Sequence, residues 1–258
     1  MTSVIEKVLA HPRAPLLSAP TPVEHLRRLS GVLGVGLYVK RDDLTGLGMG
    51  GNKVRQLEFY FGAALAQRAD TVLITGAVQS NYVRTAAAAA AKLGLQAVLQ
   101  LEERVPGMGP LHYSSGNVLL DDLLGARRIS YPEGEDEAGA DASLRAEAQR
   151  LRDGGRVPYV IPLGLDNPPL GALGYVLAAH ELVQGGFDFD AVVVASGSGL
   201  THAGLLAGLR ALGVDVPVYG ICVRRAAGLQ SDRIRTVCGK LADLIGRAPV
   251  VRDSDIVT

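Results

Sequence analysis

The chain has 258 residues, is 48% hydrophobic, and balances 26 basic against 26 acidic side chains for a formal net charge of zero. Such a chain can bury the core of one large or two modest domains, and its balanced charge gives no case for nucleic acid or an anionic membrane surface. The N-terminus lacks a basic-then-apolar signal pattern and no apolar run reaches membrane-spanning length; Cys222 and Cys238 are too few for a disulfide framework and read as buried thiols of a cytoplasmic protein.

In chain order, the proline-rich residues 1–30 show little periodicity and are expected to wrap the surface as an arm. A strand over 35–40 leads into a polar, glycine-rich turn at 46–51. A helix then runs from Lys53 to about 67, with Val54, Leu57, Phe61 and Leu65 forming one apolar stripe. The run TVLITGA at 71–77 reads as a strand buried on both faces. Ser80 and Asn81 open an alanine-rich helix that closes on Gly94. Strands at 97–101 and 128–131 flank a helix at 117–124. A helix at 142–152 and a strand at 158–163 complete this block. The acidic run EGEDEAGAD at 133–141 has no histidine near it and reads as a solvated face rather than a metal site.

After a Pro/Gly-rich joint at 162–171, the best internal boundary, come a helix at 170–183 and the apolar run 191–199. A helix at 201–212, a strand at 216–223 and a helix at 231–245 follow, and Val250 with Val251 begins a further strand. Strands alternating with helices of ten or more residues mean βαβ units and parallel sheets.

Three polar turns stand at strand-to-helix junctions, the end of an open parallel sheet where ligands bind. In the first, Gly48, Gly50 and Gly51 allow positive φ and a close backbone approach, and Asn52 and Lys53 stand at the helix mouth. A lysine there is either a solvated side chain or one presented to form a Schiff base, and the glycine elbow favours the second. The second turn, Gln79–Tyr82, is an ordinary helix cap that also suits a small carboxylate. The third, Ser196–Thr201, is either a generic tight turn or a phosphate cup of backbone N–H groups, hydroxyls and helix dipole. It is not GxGxxG, no acidic residue follows to hold a ribose, and GxxxxGK[ST] is absent, which argues against a nucleotide-dependent oxidoreductase. The five histidines show no ligand spacing, so metal chemistry is not supported. A lysine nucleophile, a phosphate cup and a carboxylate site together describe a pyridoxal-phosphate enzyme acting on an amino acid.

The segments RAPLLSAPTPVEHL (13–26), KRDDLTGLGMGGNKVRQLEF (40–59), GAVQSNYVRTAAAAAAKLGL (76–95), SSGNVLLDDLLGA (114–126) and VVVASGSGLTHAGLLAGL (192–209) carry a resemblance that covers nearly the whole chain. The sequence resembles the D-cysteine desulfhydrase / 1-aminocyclopropane-1-carboxylate deaminase family, in the tryptophan synthase β-like group of pyridoxal 5'-phosphate enzymes (fold type II). The resemblance implies two open parallel-sheet α/β domains: a large one from 1–53 and 163–258, and a small one from 54–162. It implies an aldimine on Lys53 beside Asn52, with Ser80 as a second catalytic group. It places Asn81 at the cofactor's 3'-hydroxyl, Ser80, Asn81 and Tyr82 at the substrate carboxylate, and Gly197, Ser198, Gly199, Leu200 and Thr201 around the phosphate. The implied reaction is α,β-elimination from D-cysteine in a cytoplasmic homodimer. The rival readings are deamination of the cyclopropane amino acid, or a cofactor-binding homologue or fragment without turnover. Three departures from the family pattern stand out: Gln56 where a lysine is common, Tyr82 where His or Gln is common, and no counterpart of the family's C-terminal part of the large domain.

Overall fold

The computed structural model describes residues 3–134, 136–246 and 250–258; Glu135, within the acidic run, lies outside the described residues, as do the first two residues of the N-terminal arm. The N-terminal segment is more than an arm. Helix α1 (Val4–Leu9) is closed by a reciprocal Ser3–Glu6 capping box and buries Val4 and Val8. Strands β1 (Val23–His25) and β2 (Tyr38–Lys40) form an antiparallel ribbon on either side of α2 (Arg27–Leu33). With six or seven residues each, these helices are too short to show a period, which is why the pattern is silent there.

From here the chain alternates. Helix α3 (Lys53–Ala66) leads to β3 (Thr71–Ala77), α4 (Asn81–Leu93), β4 (Gln96–Glu102), α5 (Asn117–Leu123), β5 (Arg127–Tyr131), α6 (Glu137–Asp153) and β6 (Pro158–Ile161). Then follow α7 (Leu170–Gln184), β7 (Val192–Ser196), α8 (Leu200–Ala211), β8 (Val218–Cys222), α9 (Ala227–Leu244) and β9 (Ile256–Val257). One sheet is parallel and four-stranded in the order β5-β4-β3-β6; another is parallel and three-stranded in the order β7-β8-β9. β3 is buried on both faces, with Val72 and Ile74 in the cluster that holds α3 and α4, and Leu73 packed with Leu144 and Ala148 of α6.

Two expectations are corrected at the ends of elements. The last strand forms at Ile256–Val257 rather than at Val250 and Val251. Asp255, nearly buried, accepts from the Arg252 backbone N–H and guanidinium, and this turn delays the strand. Helix α6 begins at Glu137, inside the acidic run, with Asp136 capping the Gly139 N–H. Cys238 is buried as expected, whereas Cys222 is only partly so. Among the described residues no helix is long and apolar enough to cross a membrane.

Helix α3 serves two cores. Val54, Leu57 and Phe61 pack with the four-stranded sheet, while Phe59 packs with α7 and α8; the stripe ends at Phe61, because Leu65 is 40% exposed. The backbones meet closely: a Cβ at Gly174 of α7 would lie 2.1 Å from the Arg55 carbonyl oxygen, and one at Gly204 of α8 would lie 2.4 Å from that of Ala172. Between α3 and α7 lies Arg55, only 2% exposed. Its guanidinium donates to both oxygens of Asp42 (2.9 and 3.0 Å) and both of Glu181 (2.7 and 2.8 Å). Tyr175 and Thr21 hydroxyls also donate to Asp42, and Lys40 donates to Glu181. Burial alone would raise both carboxyls; the Arg55 charge and its hydrogen bonds outweigh it and hold both below their usual values.

Arg55→Met leaves two partly buried carboxylates without their main partner and is expected to cost about 3 kcal/mol, the lower end for a broken buried pair, in denaturant unfolding. Because the folded-state values of Asp42 and Glu181 are lowered, their stabilisation is full above the ordinary carboxylate range and disappears as pH falls through the lowered values. The acid limb of a stability–pH profile is therefore expected to flatten in the variant.

Candidate active site

The glycine elbow ahead of α3 is built as the sequence implies. Gly48, Gly50 and Gly51 take φ values of 53°, 73° and 108°, in the left-handed region that glycine adopts without strain. The Gly51 carbonyl is held by the Thr45 hydroxyl at 2.9 Å and its N–H donates to the Asp42 carbonyl. The elbow delivers Lys53 as the first residue of α3, half-buried, into a cavity of about 240 Å³. Burial pulls the Lys53 ammonium down to about 8 from the usual 10.5. Its Nζ lies 5.8 Å from the centre of the Tyr82 ring, within cation–π range.

Ser80 lines the same cavity as the N-cap of α4, its Oγ accepting from the Val83 N–H at 3.3 Å. Gly76, at the end of β3, makes room for it, since a Cβ there would meet the Ser80 Oγ at 2.9 Å. Tyr82 also lines the cavity, and its buried hydroxyl has no hydrogen-bond partner among the described residues. Asn81, between them in sequence, is exposed and does not line the cavity; its Oδ1 accepts from Asn117.

From the opposite side come Gly197, Ser198 and Leu200, at the junction of β7 and α8. Gly199, at φ 93°, is the N-cap of α8. The loop's carbonyls are tied back: that of Gly197 accepts from Arg225 and Gln230, that of Ser198 from Arg233. The N–H groups of the first turn of α8 have no intrahelical acceptor, so this end of the helix suits an anion. Asn52 and Thr201 flank the cavity rather than line it; the Thr201 hydroxyl accepts from Asn52 at 3.1 Å and from Gln56 at 2.9 Å, joining the elbow to the loop. His202 is fully buried against Ser196, and burial lowers its pKa.

The acidic run is not simply a solvated face. Glu137 lines the cavity and receives Arg224, Arg225 and Arg233 at 3.0, 2.5 and 3.0 Å. Burial would raise the Glu137 carboxyl, but Arg233, Arg225 and Arg224 together hold it below its usual value. Asp141 accepts from the N–H groups of Leu163 and Gly164 and fixes the segment after β6. Arg104, Arg224, Arg233 and Lys240 line the cavity too, and none of them stands out in the sequence as a site residue. A signal exists for Arg224, which closely follows a parallel strand, the place where the other site residues are sought. Among the described residues no cluster suited to a metal ion occurs.

Known proteins give the arrangement its context. The family described as "Pyridoxal-phosphate dependent enzyme" matches residues 15–257. The D-cysteine desulfhydrases of Salmonella choleraesuis (strain SC-B67) and Salmonella typhi are each 44% identical over 238 residues, spanning 90% of this chain and 71% of theirs. A crystal structure of an ACC deaminase homologue superposes with a TM-score of 0.86 at 40% identity, covering 98% of this chain and 75% of that one. The fungal L-serine ammonia-lyase from Rhizomucor miehei shares the fold, at 20% identity and a TM-score of 0.64 over 83% of this chain and 62% of that one. With sequence, fold and a half-buried cavity lysine in agreement, the chain belongs to the pyridoxal-phosphate-dependent enzymes, in the D-cysteine desulfhydrase / 1-aminocyclopropane-1-carboxylate deaminase family of fold type II.

Proposed function

We propose that this cavity carries out α,β-elimination on a small amino acid, D-cysteine first, converting it with water to pyruvate, ammonia and hydrogen sulfide. The observation that carries the reading is the Lys53 amine, shifted to about 8 and set in one cavity with the Ser80 cap and the glycine loop of α8. The relatives named D-cysteine desulfhydrase supply the substrate; the structure described as an ACC deaminase homologue supplies its competitor, the cyclopropane amino acid.

The residues fit pyridoxal phosphate. A lysine with a lowered pKa and a loop whose carbonyls are drawn away from the cavity are what an aldehyde-bearing phosphate ester needs. When bound, the cofactor supplies an electron sink for the pair left when Cα loses its proton. Lys53 would hold it through its amine. Gly197, Ser198, Gly199, Leu200 and Thr201 would receive the phosphate, with Asn52 steadying Thr201. Asn81, whose oxygen is already engaged by Asn117, keeps an NH₂ group to offer the ring hydroxyl.

Ser80 and the first-turn N–H groups of α4 would bind the substrate carboxylate, with Asn81 and Tyr82 beside them. With substrate in the cavity, the Lys53 amine would be the base that takes the Cα proton. With a pKa of about 8, about a tenth of it is free base at neutral pH, far more than for an ordinary lysine. Ser80 is the second candidate for proton transfer.

Residues 1–53 with 163–258 and residues 54–162 form, in this reading, a large and a small domain. The four-stranded sheet lies within 71–161 and the three-stranded one within 192–257, which supports that division. A cytoplasmic homodimer is carried over with the family reading.

Borohydride reduction of the cofactor-loaded protein is expected to fix the cofactor to the peptide containing Lys53; a Lys53→Ala protein that still forms a stable adduct at another lysine would overturn the assignment. Ser198→Ala is expected to cost about 1 kcal/mol or less in cofactor affinity, because the donors are mainly backbone N–H groups. Gly199→Val is expected to cost far more, since its φ of 93° is strained for any β-branched residue. Ser80→Ala is expected to weaken the spectral response to D-cysteine while leaving the resting absorption intact. Equal loss of both makes Ser80 a structural cap. Release of 2-oxobutyrate from the cyclopropane amino acid, with no sulfide from D-cysteine, replaces the elimination reading by deamination.

A further inference from the structure

One buried charge has no part in the chemistry described above. Arg84 of α4 is 7% exposed, yet its guanidinium meets no carboxylate at hydrogen-bond distance among the described residues. Its Nη2 donates to the Gly50 carbonyl at 3.2 Å and to the Thr85 hydroxyl at 3.3 Å, and its Nε is without a partner among those residues. Burying a guanidinium is costly unless it is well bonded, and here its backbone acceptor is the glycine elbow. The nearby carboxyl of Asp121 on α5 is fully buried with neither oxygen bonded among the described residues. Burial pushes Asp121 up to about 7, so near neutral pH it offers Arg84 only partial charge compensation.

One turn along α4, Ala88 meets the same elbow: a Cβ on Gly48 would lie 2.6 Å from the Ala88 Cβ, so the elbow sits directly on this helix face. Position 84 supplies a donor to the elbow and position 88 a close seat. The Thr45 hydroxyl holds the next carbonyl, that of Gly51. The peptide between these two anchored carbonyls lies only two residues before Lys53.

We propose that Arg84 is a positioning residue: by anchoring the Gly50 carbonyl it fixes the direction in which the elbow presents the Lys53 amine, and so sets how readily Lys53 captures the cofactor's aldehyde, the amine nitrogen forming a double bond to the aldehyde carbon as the carbonyl oxygen leaves as water. The inference rests on the reading of Lys53 given above. It separates two events at one cavity, seating of the phosphate by the loop before α8, which Arg84 does not touch, and capture by the amine, which it governs.

The test uses cofactor-free protein and two probes. Pyridoxal 5'-phosphate reports capture, followed by absorbance and by borohydride trapping at Lys53. Pyridoxine 5'-phosphate, which has the phosphate but no aldehyde, reports seating alone. Arg84→Met is expected to slow capture about tenfold, the loss of one charge-assisted hydrogen bond, while pyridoxine 5'-phosphate affinity stays within about threefold of wild type. Arg84→Lys, which restores a cationic donor, is expected to recover most of the capture rate. Ala88→Leu, which lifts the elbow with Arg84 intact, is expected to slow capture likewise. Capture by Arg84→Met at the wild-type rate overturns the proposal. So does equal loss of both probes that tracks a lowered unfolding midpoint and is not rescued by lysine. If wild-type protein seats both probes but traps no adduct at Lys53, the Lys53 reading fails first, and the proposal with it.

Discussion

Arg55 is the interaction on which the rest depends. It sits two residues after Lys53, so whatever fixes the first turn of α3 also fixes the lysine. Its planar fork meets two carboxylates in bidentate fashion, Asp42 from the segment before the elbow and Glu181 from α7. One side chain therefore references the elbow, the start of α3 and the buried helix α7 to a single point. Close contact of Gly174 with the Arg55 carbonyl leaves no room for α3 to slide along α7. A hydrophobic contact of the same area would hold α3 as firmly but would not fix its rotation, and rotation decides where Lys53 points.

The loop before α8 meets the same demand differently. The phosphate cup proposed for it needs N–H groups facing inward, so the carbonyls must find partners elsewhere. Arg225, Gln230 and Arg233 supply them from behind, and Glu137 gathers Arg224, Arg225 and Arg233 onto one carboxylate. Among the described residues, three cations against this one anion give that wall of the cavity a positive balance, which favours anionic groups there. Glu137 belongs to α6, which covers the four-stranded sheet, whereas the arginines follow β8 or lie on α9. The charge cluster thus also spans the two sides of the cavity.

How much of this is legible in the sequence depends on where each residue's partners lie. The elbow, β3 and the cap of α4 are readable because their causes are local: glycines with positive φ, an unbroken apolar run, and a serine one residue ahead of a helix. Glu137 reads as solvated because nothing within ten residues of it in sequence reveals that its partners lie some ninety residues on. Arg84 looks like any polar residue of an alanine-rich helix until the elbow is folded against it. β7 shows the opposite limit: its sequence is as apolar as that of β3, yet Val193 is 67% exposed where Leu73 is fully buried. α8 packs on β7, while Tyr219 and Ile221 on the neighbouring β8 are also exposed, so one face of this sheet is open among the described residues. An apolar run indicates a strand, and its second covering layer is a tertiary fact.

The same distinction bears on Tyr82 and Gln56, two side chains that line the cavity. Gln56 donates to the Thr201 hydroxyl, which Asn52 also engages, so it ties α3 to α8 without bringing a charge. Positive charge near the loop comes instead from Arg224 and Arg233, which line the cavity from the β8–α9 side. Tyr82 places a ring beside the Lys53 amine and leaves its hydroxyl buried and, among the described residues, unpartnered. Burial above all holds that phenol well above its ordinary pKa, so at neutral pH it can donate a hydrogen bond but cannot serve as a base. A buried donor without an acceptor is unfavourable unless a ligand completes it. In the function proposed above, Tyr82 stands beside Ser80 and Asn81 at the substrate carboxylate, whose oxygens would accept from that hydroxyl.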